Sequence, residues 1–145
     1  MKVEGVTIKT KDSFIYLEKA GEGPALLLLH GFPQTHLMWR DIVPLLARHF
    51  TVINADLRGY GRSGCPPSDS LHTPYTKKAM ASEMAFVLHK LGFETFSVVG
   101  HDRGARIAYR LALDFPDKIK QLCVLDIIPT AEVWDRMDRH ILQAF

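Results

Sequence analysis

Polar and apolar residues alternate over Val3 to Lys9 and again over Ser13 to Lys19, the two-residue period of a strand buried on one face. The polar "TKDS" between them predicts a hairpin turn. The pattern then changes. "ALLLLH", Ala25 to His30, is a continuous apolar run, as expected of a strand buried on both faces of a parallel sheet, and "TVINADL", Thr51 to Leu57, is expected to be the next buried strand. Between them a helix is expected from about Asp41, a plausible N-cap, with Pro44 in the first turn where its missing N–H is tolerated. Arg58 to Thr76, rich in Gly, Pro and Ser, reads as a long loop. Met80, Met84, Val87, Leu88 and Leu91 recur at helical spacing before the stop signal Gly92, a stripe that suits core packing. "TFSVVG" predicts another buried strand, Arg103 to Phe115 a helix ended by "DFPDK", and Lys120 to Ile128 a sixth strand. Pro129 and Thr130 open a last helical stretch. Strands alternating with helices imply an α/β fold: a mostly parallel sheet with an antiparallel N-terminal hairpin and helices on both faces.

Composition narrows the class. A chain of 145 residues, 47% hydrophobic and 23% charged, suits one globular domain. The net charge of +2 comes from scattered basic residues without a stripe, so no nucleic-acid partner is expected. Cys65 and Cys123 make neither a disulfide framework nor a metal pair. No leader opens the chain and no apolar run reaches the ~18 residues of a membrane span. A cytoplasmic protein acting on a small molecule, without metal, cofactor or membrane partner, is expected.

The chemistry concentrates at "VVGHDRGARIAYR", Val98 to Arg110. Gly100-His101-Asp102-Arg103-Gly104 fits Gly-x-nucleophile-x-Gly between a buried strand and a helix, the setting in which a sharp turn lifts a side chain above the sheet edge. The helix N-terminus there favours an anion. Asp102 is therefore either a nucleophile or a simple helix cap. A carboxylate is already ionised at neutral pH. It suits displacement at an sp³ carbon bearing a leaving group, or the opening of an epoxide, and either reaction leaves an ester on the enzyme. Hydrolysis of that ester needs a base and an oxyanion hole.

Cations in a helix's first turn oppose the helix dipole, yet Arg103 and Arg106 lie three apart, on one face. Two guanidinium groups suit a substrate that carries its own carboxylate, held bidentately. Alternatively they neutralise Asp102 or face solvent. Arg110 is expected on a solvated face. His30, Asp56, Arg58, Gly59 and Gly61 read as loop structure, and Trp39 and Tyr60 border the pocket or pack in the core.

With these residues on the page, the sequence resembles the α/β-hydrolase fold, and more closely the haloacetate (fluoroacetate) dehalogenases. The stretches "LLLLHGFPQTHLMW", "ADLRGYGRS", "VVGHDRGAR" and "VLDIIPT" carry the likeness from about Ala25 to Thr130. The first two are shared with epoxide hydrolases, whereas Asp-Arg-x-x-Arg and "LDIIPT" are more particular to the dehalogenases. Ala105 stands where the family usually has a second glycine. The resemblance implies that Asp102 displaces halide and that Arg103 and Arg106 hold the substrate carboxylate. It implies that Asp126 orients a catalytic histidine, and that the backbone N–H groups of Phe32 and Arg103 form the oxyanion hole. Without it, Asp126 reads equally well as the N-cap of the helix after Pro129.

In that family the histidine, the halide-binding residues and the cap come after the matched region. The only histidine after Asp126 is His140, a poor candidate in a helical stretch. Residues 1–145 are thus expected to be the N-terminal part of a larger core domain, without its cap and C-terminal strands. Such a chain would be inactive alone and would fold poorly, or else assemble with a complementary C-terminal segment or as a homodimer, because its sixth strand would lie bare. An epoxide hydrolase is the alternative enzyme, against which Arg103 argues, since that class typically has an aromatic residue after the nucleophile. A non-catalytic binding module of the same fold is the alternative outside enzymes.

Overall fold

The computed structural model describes residues 2–128 together with Thr130 and Glu132. Six strands form one sheet in the order β1-β2-β4-β3-β5-β6. The hairpin is β1 (Val3–Lys9) and β2 (Phe14–Ala20), antiparallel as the alternation predicts, with Val6 opposite Leu17. β2 then pairs antiparallel with β4 (Thr51–Ala55), and β4, β3 (Ala25–Leu29), β5 (Phe96–His101) and β6 (Ile119–Leu125) run parallel. All residues of β3 and β4 are buried, which is why β3 reads as an unbroken apolar run; β4 also buries Thr51 and Asn54, whose side chains donate to Gly23 O and His36 O.

Helices cover both faces. On one side α2 (Lys77–Lys90) and α3 (Arg103–Asp114) pack Met80, Met84, Leu88, Ile107 and Leu111 against Leu27, Leu29, Ile53 and Val98. On the other, Trp39 and Val43 of the short helix α1 (Val43–Leu46) and of the turn before it cover Leu26, Leu28 and Val52. Each such aliphatic side chain contributes about 1.5–3 kcal/mol by leaving water. Thr76 caps α2, and Gly92 ends it at φ +87°, where a side chain would be strained.

Three sequence-based expectations are corrected. Asp41 caps no helix: a 3-10 turn at His36–Trp39 comes first and α1 begins after Ile42, still with Pro44 in its first turn. The sixth strand runs from Ile119 to Leu125 and stops short of Ile128, because Asp126 turns to φ +56°. Arg110 is not simply solvated: its Nε donates to Asp114 Oδ2 at 2.8 Å. The helical stretch expected after Pro129 lies, apart from Thr130 and Glu132, outside the described residues, as does His140. β6 forms the edge of the described sheet, and Leu122, Val124 and Leu125 are exposed on it.

The loop after β4 is pinned by buried Arg58. It donates to Glu83 on α2 (2.7 and 3.0 Å) and to Asp12 in the hairpin turn (2.7 and 2.9 Å), while Thr10 Oγ1 donates to Glu83 at 2.7 Å. The hydrogen bond from Arg58 outweighs burial and holds the Asp12 carboxyl below the ordinary carboxylate value. A depressed carboxyl pKa stabilises the fold above the unfolded value, and the contribution is lost as pH falls through the folded one. In the full-length protein Asp12→Asn should therefore lower the melting temperature at neutral pH and make much less difference in strong acid. Melting curves of both proteins across that range check this, and equal melting at neutral pH would show that Asp12 does not contribute.

Candidate active site

The turn between β5 and α3 carries Asp102 at φ 47°, ψ −115°, a sparsely populated conformation for a residue with a side chain. Such a conformation costs on the order of 1–3 kcal/mol and persists only where its surroundings enforce it. The glycines on either side are required by close approach. A Cβ on Gly100 would lie 2.5 Å from Gly104 O, and one on Gly104 would lie 2.4 Å from both Leu29 O and His30 O. Asp102 N donates to Leu125 O (3.0 Å), and Arg106 N donates to Asp102 O (3.2 Å), so the backbone on both sides of the corner is fixed.

The Asp102 side chain does not cap its own helix. Its Oδ2 instead accepts from Phe32 N at 2.9 Å, across the mouth of the adjacent strand β3. Burial raises the Asp102 pKa. The neighbouring backbone N–H groups of Phe32 and Arg103 and the charges of His101 and Arg103 outweigh it, and the carboxyl lies below its ordinary range. Asp102 is therefore an anion at neutral pH. Gly31 makes the approach possible, since a Cβ there would lie 2.7 Å from Asp102 Cβ. The Phe32 amide thus points at the Asp102 carboxylate.

Arg103 is exposed and stacks its guanidinium over the Phe32 ring, 4.7 Å from the centroid, while its Nη1 donates to Tyr60 Oη at 3.3 Å. Among the described residues no carboxylate lies within ion-pairing reach of either Arg103 or Arg106. The buried Nε of Arg106 has no hydrogen-bond partner among the described residues, an orphaned donor that needs explaining. Tyr60 borders the site, against a small cavity of about 80 Å³ that Arg103 also lines. Trp39 belongs to the core instead.

Asp126 stands at the end of β6 with its side chain 85% exposed, and Oδ2 lies 3.6 Å from His101 Nε2. His101 Nδ1 is 3.1 Å from Gln34 Oε1. Gln34, His101 and Asp126 therefore form a polar string beside Asp102. Neither His101 nor Gln34 stands out in the sequence as a site residue, and only the sheet order brings them together. His30 is structural, as expected. Burial holds it below its ordinary pKa, Nε2 accepts from Leu57 N at 3.0 Å, and Nδ1 lies 2.9 Å from Gly31 O. Those partners specify a neutral ring protonated at Nδ1. Asp56 is also structural, accepting from His36 N (2.7 Å) and Arg62 N (2.9 Å). No group of three or more His, Cys, Asp or Glu residues able to hold a metal occurs among the described residues, and no helix there is long and apolar enough to cross a membrane.

Comparison with known proteins places this geometry in context. A family model described as the alpha/beta hydrolase fold matches residues 24–145. A fluoroacetate dehalogenase of Burkholderia sp is 52% identical over 125 residues, which is 86% of this chain and 41% of that protein. A soluble epoxide hydrolase of Corynebacterium sp. (strain C12) is 42% identical over 110 residues, 76% of this chain and 37% of that protein. A solved structure from Nostoc sp PCC 7120, provisionally described as an alpha/beta hydrolase, superposes with a TM-score of 0.93 at 51% identity, covering 98% of this chain and 49% of that one. The chain spans about two fifths of the length of these curated relatives.

Proposed function

The chain belongs to the alpha/beta hydrolase fold family, and from that membership we propose that the whole protein is a dehalogenase of small 2-haloacids in which Asp102 displaces the halide. The observation that carries the reading is a carboxylate, not a hydroxyl, at the strained corner, with Arg103 and Arg106 unpaired by any described carboxylate beside it.

In this reading Phe32 N–H holds Oδ2, which leaves Oδ1 to attack. Oδ1 bonds to the carbon bearing the halogen, the carbon–halogen bond breaks, and halide leaves with the bonding pair. The product is an ester of Asp102 and a hydroxyacid. Arg103 and Arg106 hold the substrate carboxylate so that the carbon faces Oδ1, a positioning effect. Water then adds to the Asp102 carbonyl carbon. The negative charge that develops on Oδ2 falls where Phe32 N–H already points, so that donor needs no reorganisation, and Arg103 N–H would be the second donor. Collapse of the tetrahedral intermediate releases the hydroxyacid, regenerates the carboxylate and liberates a proton. Asp126, whose Oδ2 lies 3.6 Å from His101 Nε2, would orient the base that activates this water.

The test is a comparison of substrates on the full-length protein. Chloroacetate should release chloride with a kcat/KM well above that for opening a neutral epoxide such as styrene oxide. Faster turnover of the epoxide would overturn the proposal and make the protein an epoxide hydrolase.

A further inference from the structure

We propose that Lys77 is a third cationic determinant of the anion site, selecting with Arg103 and Arg106 for a substrate that carries a carboxylate. This deepens the dehalogenase reading by adding a specificity-determining residue on a different helix.

Three features make the placement of Lys77 unfavourable unless an anion joins it. It is the first residue of α2, where the helix dipole opposes a cation, and no acidic side chain occupies that turn. It is partly buried, lining the cavity of about 80 Å³ together with Arg103, Tyr60 and Tyr75. Among the described residues no carboxylate lies within ion-pairing distance of it. Burial, and then the charges of Arg103 and Arg106, push its ammonium below the usual lysine range, and the Asp102 carboxylate only partly compensates. Two helices, α2 and α3, thus bring Lys77, Arg103 and Arg106 towards one corner, and among the described residues the carboxylate that acts on Lys77 there is that of Asp102. That anion already accepts a hydrogen bond from Phe32 N–H.

An anionic substrate end beside Arg103 would relieve all three costs. A neutral substrate would gain nothing from Lys77 and would leave the repulsion in place. The purely structural alternative is that Lys77 serves through its aliphatic stem, next to Met80 in the cavity wall. Lys77→Met keeps a stem of similar length and removes the charge, and Lys77→Arg keeps the charge.

The experiment measures acetate binding by calorimetry to the full-length protein carrying Asp102→Asn, which blocks turnover, with and without a change at Lys77. Loss of a charge-assisted contact weakens binding by roughly tenfold or more. Lys77→Met should therefore raise the acetate Kd about tenfold, Lys77→Arg should restore most of the affinity, and acetamide binding should not distinguish the variants. An unchanged acetate Kd in a folded Lys77→Met protein would overturn the inference, as would equal losses for acetate and acetamide. Chloride release from chloroacetate by the unmutated protein is measured alongside. Acetate binding that depends on Lys77 in a protein without chloride release would keep this inference and sink the dehalogenase reading. Chloride release with an acetate Kd indifferent to Lys77 would do the reverse.

Discussion

Asp102→Asn in the full-length protein should reduce chloride release from chloroacetate by about a thousandfold or more. The amide is neutral and a far poorer nucleophile than the carboxylate it replaces. The change is close to isosteric, and the Asn side-chain oxygen can still accept from Phe32 N–H, so the strained corner should hold its shape. That separates chemistry from folding: melting should move little while turnover collapses. The rate must be read before any deamidation, which would regenerate Asp102. Turnover like that of the unmutated protein would reduce Asp102 to a corner residue without a catalytic part.

The second large effect is expected at the arginines. Arg106→Lys keeps the charge but loses the planar fork and reaches a different point. A charge-assisted contact of this kind is worth about 1.5–3 kcal/mol, or roughly ten- to a hundredfold in kcat/KM for chloroacetate. Arg103→Lys should behave similarly and should in addition loosen the Phe32 ring, since the stacking at 4.7 Å is with a guanidinium plane. A neutral analogue such as chloroacetamide should be poor with the unmutated protein and little changed by either substitution. Equal losses on chloroacetate and chloroacetamide would assign Arg106 to structure. The orphaned Arg106 Nε bears on this choice: a donor kept buried without a protein partner is poorly explained by packing alone.

Much of this arrangement is legible in the chain because its causes are local. β3 and β4 read as parallel strands because burial on both faces leaves no polar alternation to mislead. The corner reads because a strand, two close-approach glycines and a helix follow within a few residues. What escaped is non-local. The His101–Asp126 contact depends on β6 lying beside β5, and the contact of His101 with Gln34 depends on β3 lying on the other side. Lys77 looks like any exposed lysine at a helix start until α2 is seen packed beside α3. Asp41 has capping chemistry and so points to a helix start, whereas the chain spends the preceding residues in a 3-10 turn capped by Thr35. The Arg110–Asp114 pair, by contrast, is local, since a spacing of four on a helix is itself the signal.

The central claim is that an ester forms on Asp102, and the fate of oxygen tests it most directly. In a single turnover of chloroacetate in water enriched in heavy oxygen, with full-length protein in excess, the hydroxyl oxygen of the product should come from Asp102 Oδ1. The glycolate should therefore be unlabelled, and the heavy oxygen should be found by peptide mass analysis in the Asp102 carboxylate. Label in the glycolate, with none on Asp102, would mean that water attacks the substrate carbon directly, and would contradict the account.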